Sequence, residues 1–358
     1  MPSASPAAST NAGLPPNSYI YNIISTAPRQ DPLTYSKLDQ LAIISSDDSL
    51  RFLDPANLSP LPNGVIKKVN EKVTCLERAN DAPSNVVATA GRDGYIRFWD
   101  KRSRQKALEI ESPHKLISAL VCDAEKNFVA AGIENPDDGP GISPVYVCTD
   151  GLVNIFDTSQ AEEEDALYQV INHRSAIAHA GFMYPGTDIY ALGTDETMSF
   201  YALQSQKEEE QEPVPKAFGD VREVLGCEYI VDMHWVGPQP FIAAGKHSEN
   251  RLDLIPITPS PAGPLHYTYD LAKSIRLTAS HGDEIVRDLF TDVHSQTTYT
   301  CGEDSHVRAW NLSEHATMPM DDSATEPNNH RKHKTNQKTK KKEKPNAHHK
   351  DKTRFNPY

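Results

Sequence analysis

The 358-residue chain has no run of about 18 apolar residues, so nothing in it reads as a membrane-spanning helix. Its cysteines, Cys75, Cys122, Cys148, Cys227 and Cys301, are scattered without CxxC spacing. That argues against a zinc site or a disulfide framework and suits a reducing compartment. Cys122 and Cys301 fall in apolar, strand-like stretches and read as core. The opening MPSASPAASTNAGLPPNS is small, polar and rich in proline, with no basic-then-apolar order. Residues 1–17 are therefore expected to be disordered, with no secretory signal. There is also no P-loop, no GxGxxG after a strand, no GxSxG and no HExxH. The reading is a non-enzyme with no cofactor and no metal, since the His348-His349 pair lacks the fixed geometry that holds an ion.

What the chain does have is a repeat. Asp93-Gly94-Tyr95-Ile96-Arg97-Phe98-Trp99-Asp100 joins an Asp-Gly turn, which needs a positive φ, to a short alternating strand ending in Trp-Asp. The same six-residue step from turn acid to terminal residue runs from Asp47 to Leu53-Asp54, from Asp150 to Phe156-Asp157, from Asp195 to Tyr201 and from Asp304 to Trp310-Asn311. A degraded copy runs from Glu249 to Ile255. The acids are 46, 57, 45, 54 and 55 residues apart, against the roughly 40–45 residues of one four-stranded propeller blade.

These motifs resemble the ends of WD40 repeats, in which a turn aspartate, a strand tryptophan and a preceding histidine tie one blade together. On that resemblance the structural positions are Asp47, Asp93, Trp99, Asp100, His114, Asp150, Phe156, Asp157, His173, Asp195, His281, Asp304 and Trp310. The histidines read as buried imidazoles bonded to a turn acid or strand hydroxyl rather than as catalysts. DGLVNIFDTSQAEEEDAL, FGDVREVLGCEYIVD, SHGDEIVRDL and TCGEDSHVRAWN, with a Lys-rich C-terminus, are similar within that family to the WD repeat-containing protein 89 group. The resemblance implies an all-β propeller of seven blades acting in protein interaction.

Six turn motifs are visible where seven blades are expected. The break falls in residues 133–150, where GIENPDDGPGIS leads into Pro144-Val145-Tyr146-Val147 and then at once into the turn at Asp150. Either a blade is shortened and carries an insertion, or about one blade length has been lost through a gene-model deletion. The domain reading is a disordered segment 1–17, a propeller 18–315 and a disordered basic tail 316–358. Because NLSEHATMPMDD after Trp310 offers no last strand, Tyr19 to Ile24 is expected to complete the final blade, and Gln40 to Ile44 to be the inner strand of the first.

The net charge of −13 is unevenly spread. Residues 325–358 carry eleven Lys/Arg and three Asp/Glu, a balance of +8, which leaves −21 for the rest. The acidic body disfavours nucleic acid, whereas Lys340, Lys341, Lys342 and Lys344 resemble a nuclear-import cluster able to contact RNA nonspecifically. The expected role is an interaction scaffold in a nuclear complex, in ribosome assembly or on chromatin, with proteins or peptides on the propeller surface and no membrane contact. The alternative is a substrate receptor of a cullin-4 type ubiquitin ligase, because Trp99-Asp100-Lys101-Arg102 resembles the Trp-Asp-x-Arg docking box, in which Trp99, Asp100 and Arg102 would engage the adaptor.

Overall fold

The computed structural model describes residues 2–28, 37–112, 115–124, 128–133, 151–156, 167–205 and 213–312. The chain divides into two units, Met1–Asp321 and Asp322–Tyr358, and all described residues lie in the first. That unit is an all-β propeller. Its tight turns share one cause: the residue after each turn acid has a positive φ, +58° at Asp48, +81° at Gly94 and Gly151, +65° at Glu196, +50° at Asn250 and +66° at Ser305. One turn type thus recurs six times, whether or not glycine is available to relieve it.

Four sheets are four-stranded and antiparallel, and a fifth has six strands, four of them forming an antiparallel blade. The first contains Ile20–Ser25, Leu41–Ser45, Ser49–Leu53 and Pro60–Lys67. The second contains Val73–Arg78, Val86–Gly91, Tyr95–Asp100 and Gln105–Glu111. Two sheets of two strands follow: Ile117–Asp123 with Phe128–Ile133, then Leu152–Phe156 with Leu167–Asn172. The fifth sheet runs Ile177–Phe182, Ile189–Gly193, Thr197–Tyr201, Lys216–Asp220. The sixth runs Tyr229–Val236, Gln239–Lys246, Arg251–Pro259, Ile275–Thr278, and the seventh Val286–Asp292, Thr297–Gly302, Val307–Asn311.

The fourth strand of the seventh sheet comes from the N-terminus. Ala8–Thr10 pairs antiparallel with Val307 to Ala309, and Ser3–Ala4 adds in parallel to the outer strand of the sixth sheet. Two expectations are corrected by this. Residues 2–17 are part of the propeller, and Ile20–Ser25 is not the closing strand but the inner strand of the first blade, with Leu41–Ser45 second to it. Its isoleucines drive that placement: Ile20 and Ile23 are buried against Phe290, Tyr299 and Val307 of the seventh sheet.

Apolar clusters fill the space between successive sheets. They join the first to the second, the second to the third, the fourth to the fifth, the fifth to the sixth, the sixth to the seventh and the seventh to the first. Among the described residues, none joins the two two-stranded sheets. Strands Leu41–Ser45 and Ser49–Leu53 are buried at every position because neighbours cover both faces, whereas the outer strand Gln105–Glu111 is exposed throughout. Lys106, Glu109 and Glu111 on that edge discourage pairing with a second chain. Cys122 and Cys301 are buried core residues, and burial pushes the Cys122 thiol up to about 12. Six inner strands share a bulge near their start, the register slipping between Ile20/Asn22, Val73/Cys75, Ile117/Ala119, Ile177/His179, Ile230/Asp232 and Val286/Asp288. It adds local twist where each strand enters the ring.

Candidate functional site: the turn-acid rim and the Trp-Asp corner

In the first, second, fifth, sixth and seventh sheets the repeat places the turn acid and the start of the inner strand at one end. In the seventh sheet the His281 Nδ1–H donates to Asp304 Oδ1 (2.6 Å), while Nε2 accepts from Thr300 Oγ1 (2.8 Å). Burial pulls the His281 pKa down, against the opposing pull of Asp304. Burial would push Asp304 up, but the bonds from His281 and Arg308 outweigh it and hold the carboxylate low. Trp310 is fully buried, and its Nε1 finds no acceptor among the described residues. The second sheet completes the chain with a different residue: Trp99 Nε1 donates to Thr89 Oγ1 (2.9 Å), Thr89 to Asn70 Oδ1 (2.7 Å), and Asn70 Nδ2 to Asp93 Oδ1 (3.0 Å). Asn70 does here what histidine does elsewhere.

In the fifth sheet His173 contacts Tyr201 Oη and Thr197 Oγ1, both at 3.2 Å, and Thr197 Oγ1 donates to Asp195 Oδ1 at 2.7 Å. Burial lowers His173, and the Thr197 hydroxyl is the leading cause of Asp195's depressed pKa. Asp47 in the first sheet accepts from Ser45 Oγ (2.6 Å) and Arg51 Nη2 (2.8 Å). His114, Asp150 and Asp157 lie outside the described residues, as do the Phe156 side chain and Lys340, Lys341, Lys342 and Lys344.

Two sets of residues escaped the motif reading. The first is an arginine four positions after the turn acid: Arg51 reaches Asp47, Arg97 reaches Asp93 and Arg308 reaches Asp304. The signal stands in the sequence as D-x-x-x-R. Arg51 also donates to the Ala12 and Gly13 carbonyls (3.0 and 3.2 Å), which fastens the N-terminal segment to the first blade. The second set is the positive-φ residues themselves, whose side chains reach the next sheet. Asp48 accepts from Val73 N (2.9 Å), Glu196 from Ile230 N (3.1 Å) and Asn250 from Gly282 N (2.9 Å), and Ser305 Oγ donates to the Ser18 carbonyl. Gly94 and Gly151, beside the two-stranded sheets, have no side chain with which to do this.

The Trp-Asp corner sits at the opposite end of the second sheet. Trp99 is buried, Asp100 accepts from the backbone of Arg102 (2.8 Å) and Ser103 (3.2 Å), and Arg102 Nη2 closes on Asp100 Oδ2 at 2.7 Å. That bond is the chief reason the Asp100 pKa falls well below the usual carboxylate range. The Arg102 side chain is 67% exposed. An acid-x-Arg turn also forms at Asp220 and Arg222, where Nη2 lies 2.6 Å from Oδ2, but at the turn-acid end of the fifth sheet and without a tryptophan. Between the corner residues, Lys101 is buried and ties Asp39 and Thr26 of the first blade to the second.

No protein-family model matches the chain. It is 41% identical over 165 residues to the WD repeat-containing protein YNL035C of Saccharomyces cerevisiae, a match covering 45% of this chain and 39% of that protein. It is 26% identical over 275 residues to the WD repeat-containing protein C63.06 of Schizosaccharomyces pombe, covering 64% and 80%. Among solved structures, the β-propeller domain of Myceliophteria thermophila Cps50 (Swd1) superposes with a TM-score of 0.51 at 12% identity, covering 87% of this chain and all of that one. That likeness is one of fold. The sequence relatives are WD-repeat proteins, and the fold is a β-propeller.

Proposed function

We propose that this protein is a non-enzymatic interaction scaffold in a nuclear complex, concerned with ribosome assembly or chromatin, and that it is kin to the WD repeat-containing protein 89 group. The observation that carries the interaction reading is where the chemistry of the rim is spent. The turn acids, their histidines and arginines, and the positive-φ side chains are bonded to one another or to the next sheet, leaving a rigid frame whose loops face outward. WD-repeat relatives favour the same role. The nuclear setting is supported by the Lys340 to Lys344 cluster in a tail of +8. To test it, the full-length protein and a form ending at Asp322 are captured from cell extract with and without nuclease, and the co-purifying proteins identified. A discrete set retained by both forms is expected. Proteins that vanish with the tail or with nuclease would assign binding to the tail and defeat the propeller reading.

A second reading, the cullin-4 receptor, is favoured by the exposure of Arg102 beside Trp99 and Asp100. The acid-x-Arg turn at Asp220, formed without a tryptophan, weighs against it. Arg102→Ala, an exposed change costing less than about 0.5 kcal/mol, is expected to abolish adaptor capture if this reading holds; retained capture, or none by the unaltered protein, removes it.

A further inference from the structure

Across the turn-acid end of the first and second blades run three adjoining depressions of about 510, 480 and 630 Å3. They adjoin one another, since the first and third share Lys72 and Arg92, the first two share Asp93, and the last two share Asp48. Together they form one groove. Its carboxylates are largely used up: Asp93 holds Arg97 and Asn70, Asp48 accepts from Val73 N, and Glu109 is shared by Arg97 and Lys106. Lys68, Lys72 and Lys115 are exposed and pair with no carboxylate among the described residues. Arg92 adds a further positive charge between them. Three ammonium groups with no ion-pair partner among the described residues thus line the groove beside Glu71 and Glu111, on a body that carries −21 outside its tail.

We propose that this groove binds an acidic segment of a partner protein. The pattern suits a peptide better than a nucleic acid. Glu71 and Glu111 interrupt the lysines, which a continuous phosphate backbone would meet as repulsion, whereas a peptide can place its carboxylates against the lysines alone. Tyr95, Tyr21 and Leu116 supply apolar contact along the same path. The floor is preorganised, since Asn70 is fixed by Thr89, Asp93 and the Tyr95 carbonyl and holds the 68–72 segment in place.

The proposal rests on the interaction reading and names its surface. The test uses the full chain and a fluorescein-labelled peptide alternating Glu and Ser, read by anisotropy, beside a Lys/Ser peptide and a single-stranded oligouridine. The Glu/Ser peptide is expected to bind and to weaken with added salt. Lys68→Glu, Lys72→Glu and Lys115→Glu together should weaken it about tenfold or more, while reversal of Lys37, Lys216 and Lys273 leaves it within about twofold at an unchanged thermal midpoint. No binding by the unaltered chain overturns the proposal. So does binding that survives the groove reversal, which assigns the peptide to the basic tail, or a reversal that abolishes oligouridine binding and spares the peptide. Protein capture that persists in the groove variant leaves the scaffold reading standing and places its partner elsewhere.

Discussion

Asp304 and Asp195 occupy the same turn position but are used differently. Asp304 accepts from a fully buried His281 and from Arg308, whereas Asp195 is exposed and accepts chiefly from Thr197. Asp304→Ala strands a buried imidazole N–H and a guanidinium, and is expected to cost about 3–5 kcal/mol. Asp195→Ala should cost under about 1 kcal/mol. Urea midpoints measure both, and equal losses would refute this division of labour. Asp288, on the inner strand of the seventh sheet, accepts from Ile23 N at 2.8 Å, and burial, reinforced by Asp232, pushes its carboxyl up to about 7. Unfolded, it titrates near 4, so between about pH 4 and 7 the native state alone keeps the proton. Native stability therefore falls as pH rises through that window, by at most about 1.4 kcal/mol per pH unit from this group. Asp288→Asn is expected to flatten that decline in urea titrations; an unchanged slope would show that Asp288 is not its source.

At the scale of the element, the turn after each acid both bends the chain and reaches to the next sheet. Asn250 shows the two contributions together, at φ +50° with its side chain accepting from Gly282 N. Asn250→Ala loses the bond and keeps a left-handed backbone that alanine adopts at roughly 1–2 kcal/mol, while Asn250→Gly loses only the bond. The alanine variant should therefore be the less stable in denaturant melts, and the reverse order would show that the strain is unimportant. The turns were legible because an acid followed by a short alternating strand is a local signal. The closing strand was not. Ala8–Thr10 has no alternation and no large side chain; it is held by ladder bonds to Val307 and Ala309 and by the grip of Arg51 on Ala12 and Gly13. Nothing in SPAAST announces a partner so distant, and the isoleucines of Ile20–Ser25 offered the more apolar choice. Asn70 likewise could not be read as a stand-in for histidine, since only the fold brings it to Thr89 and Asp93.

On the scale of the whole molecule, the first fourteen residues cross three sheets: the sixth through Ser3–Ala4, the seventh through Ala8–Thr10 and the first through Ala12 and Gly13. Removing residues 2–10 uncovers the outer edges of two blades at once. The expected result is a lower thermal midpoint and self-association in light scattering; a monomer of unchanged midpoint would show the strap to be dispensable. The third and fourth sheets, with two strands each among the described residues, adjoin the two turns where glycine replaces a bonded side chain. The strap also sets the order of events during synthesis. Ala8 leaves the ribosome roughly 300 residues before the strand it must join, and at about 5–20 residues per second it waits on the order of 15–60 s for that partner. For all of that time the nascent chain exposes an unpaired strand, and the seventh sheet closes only on a segment made long before its partners.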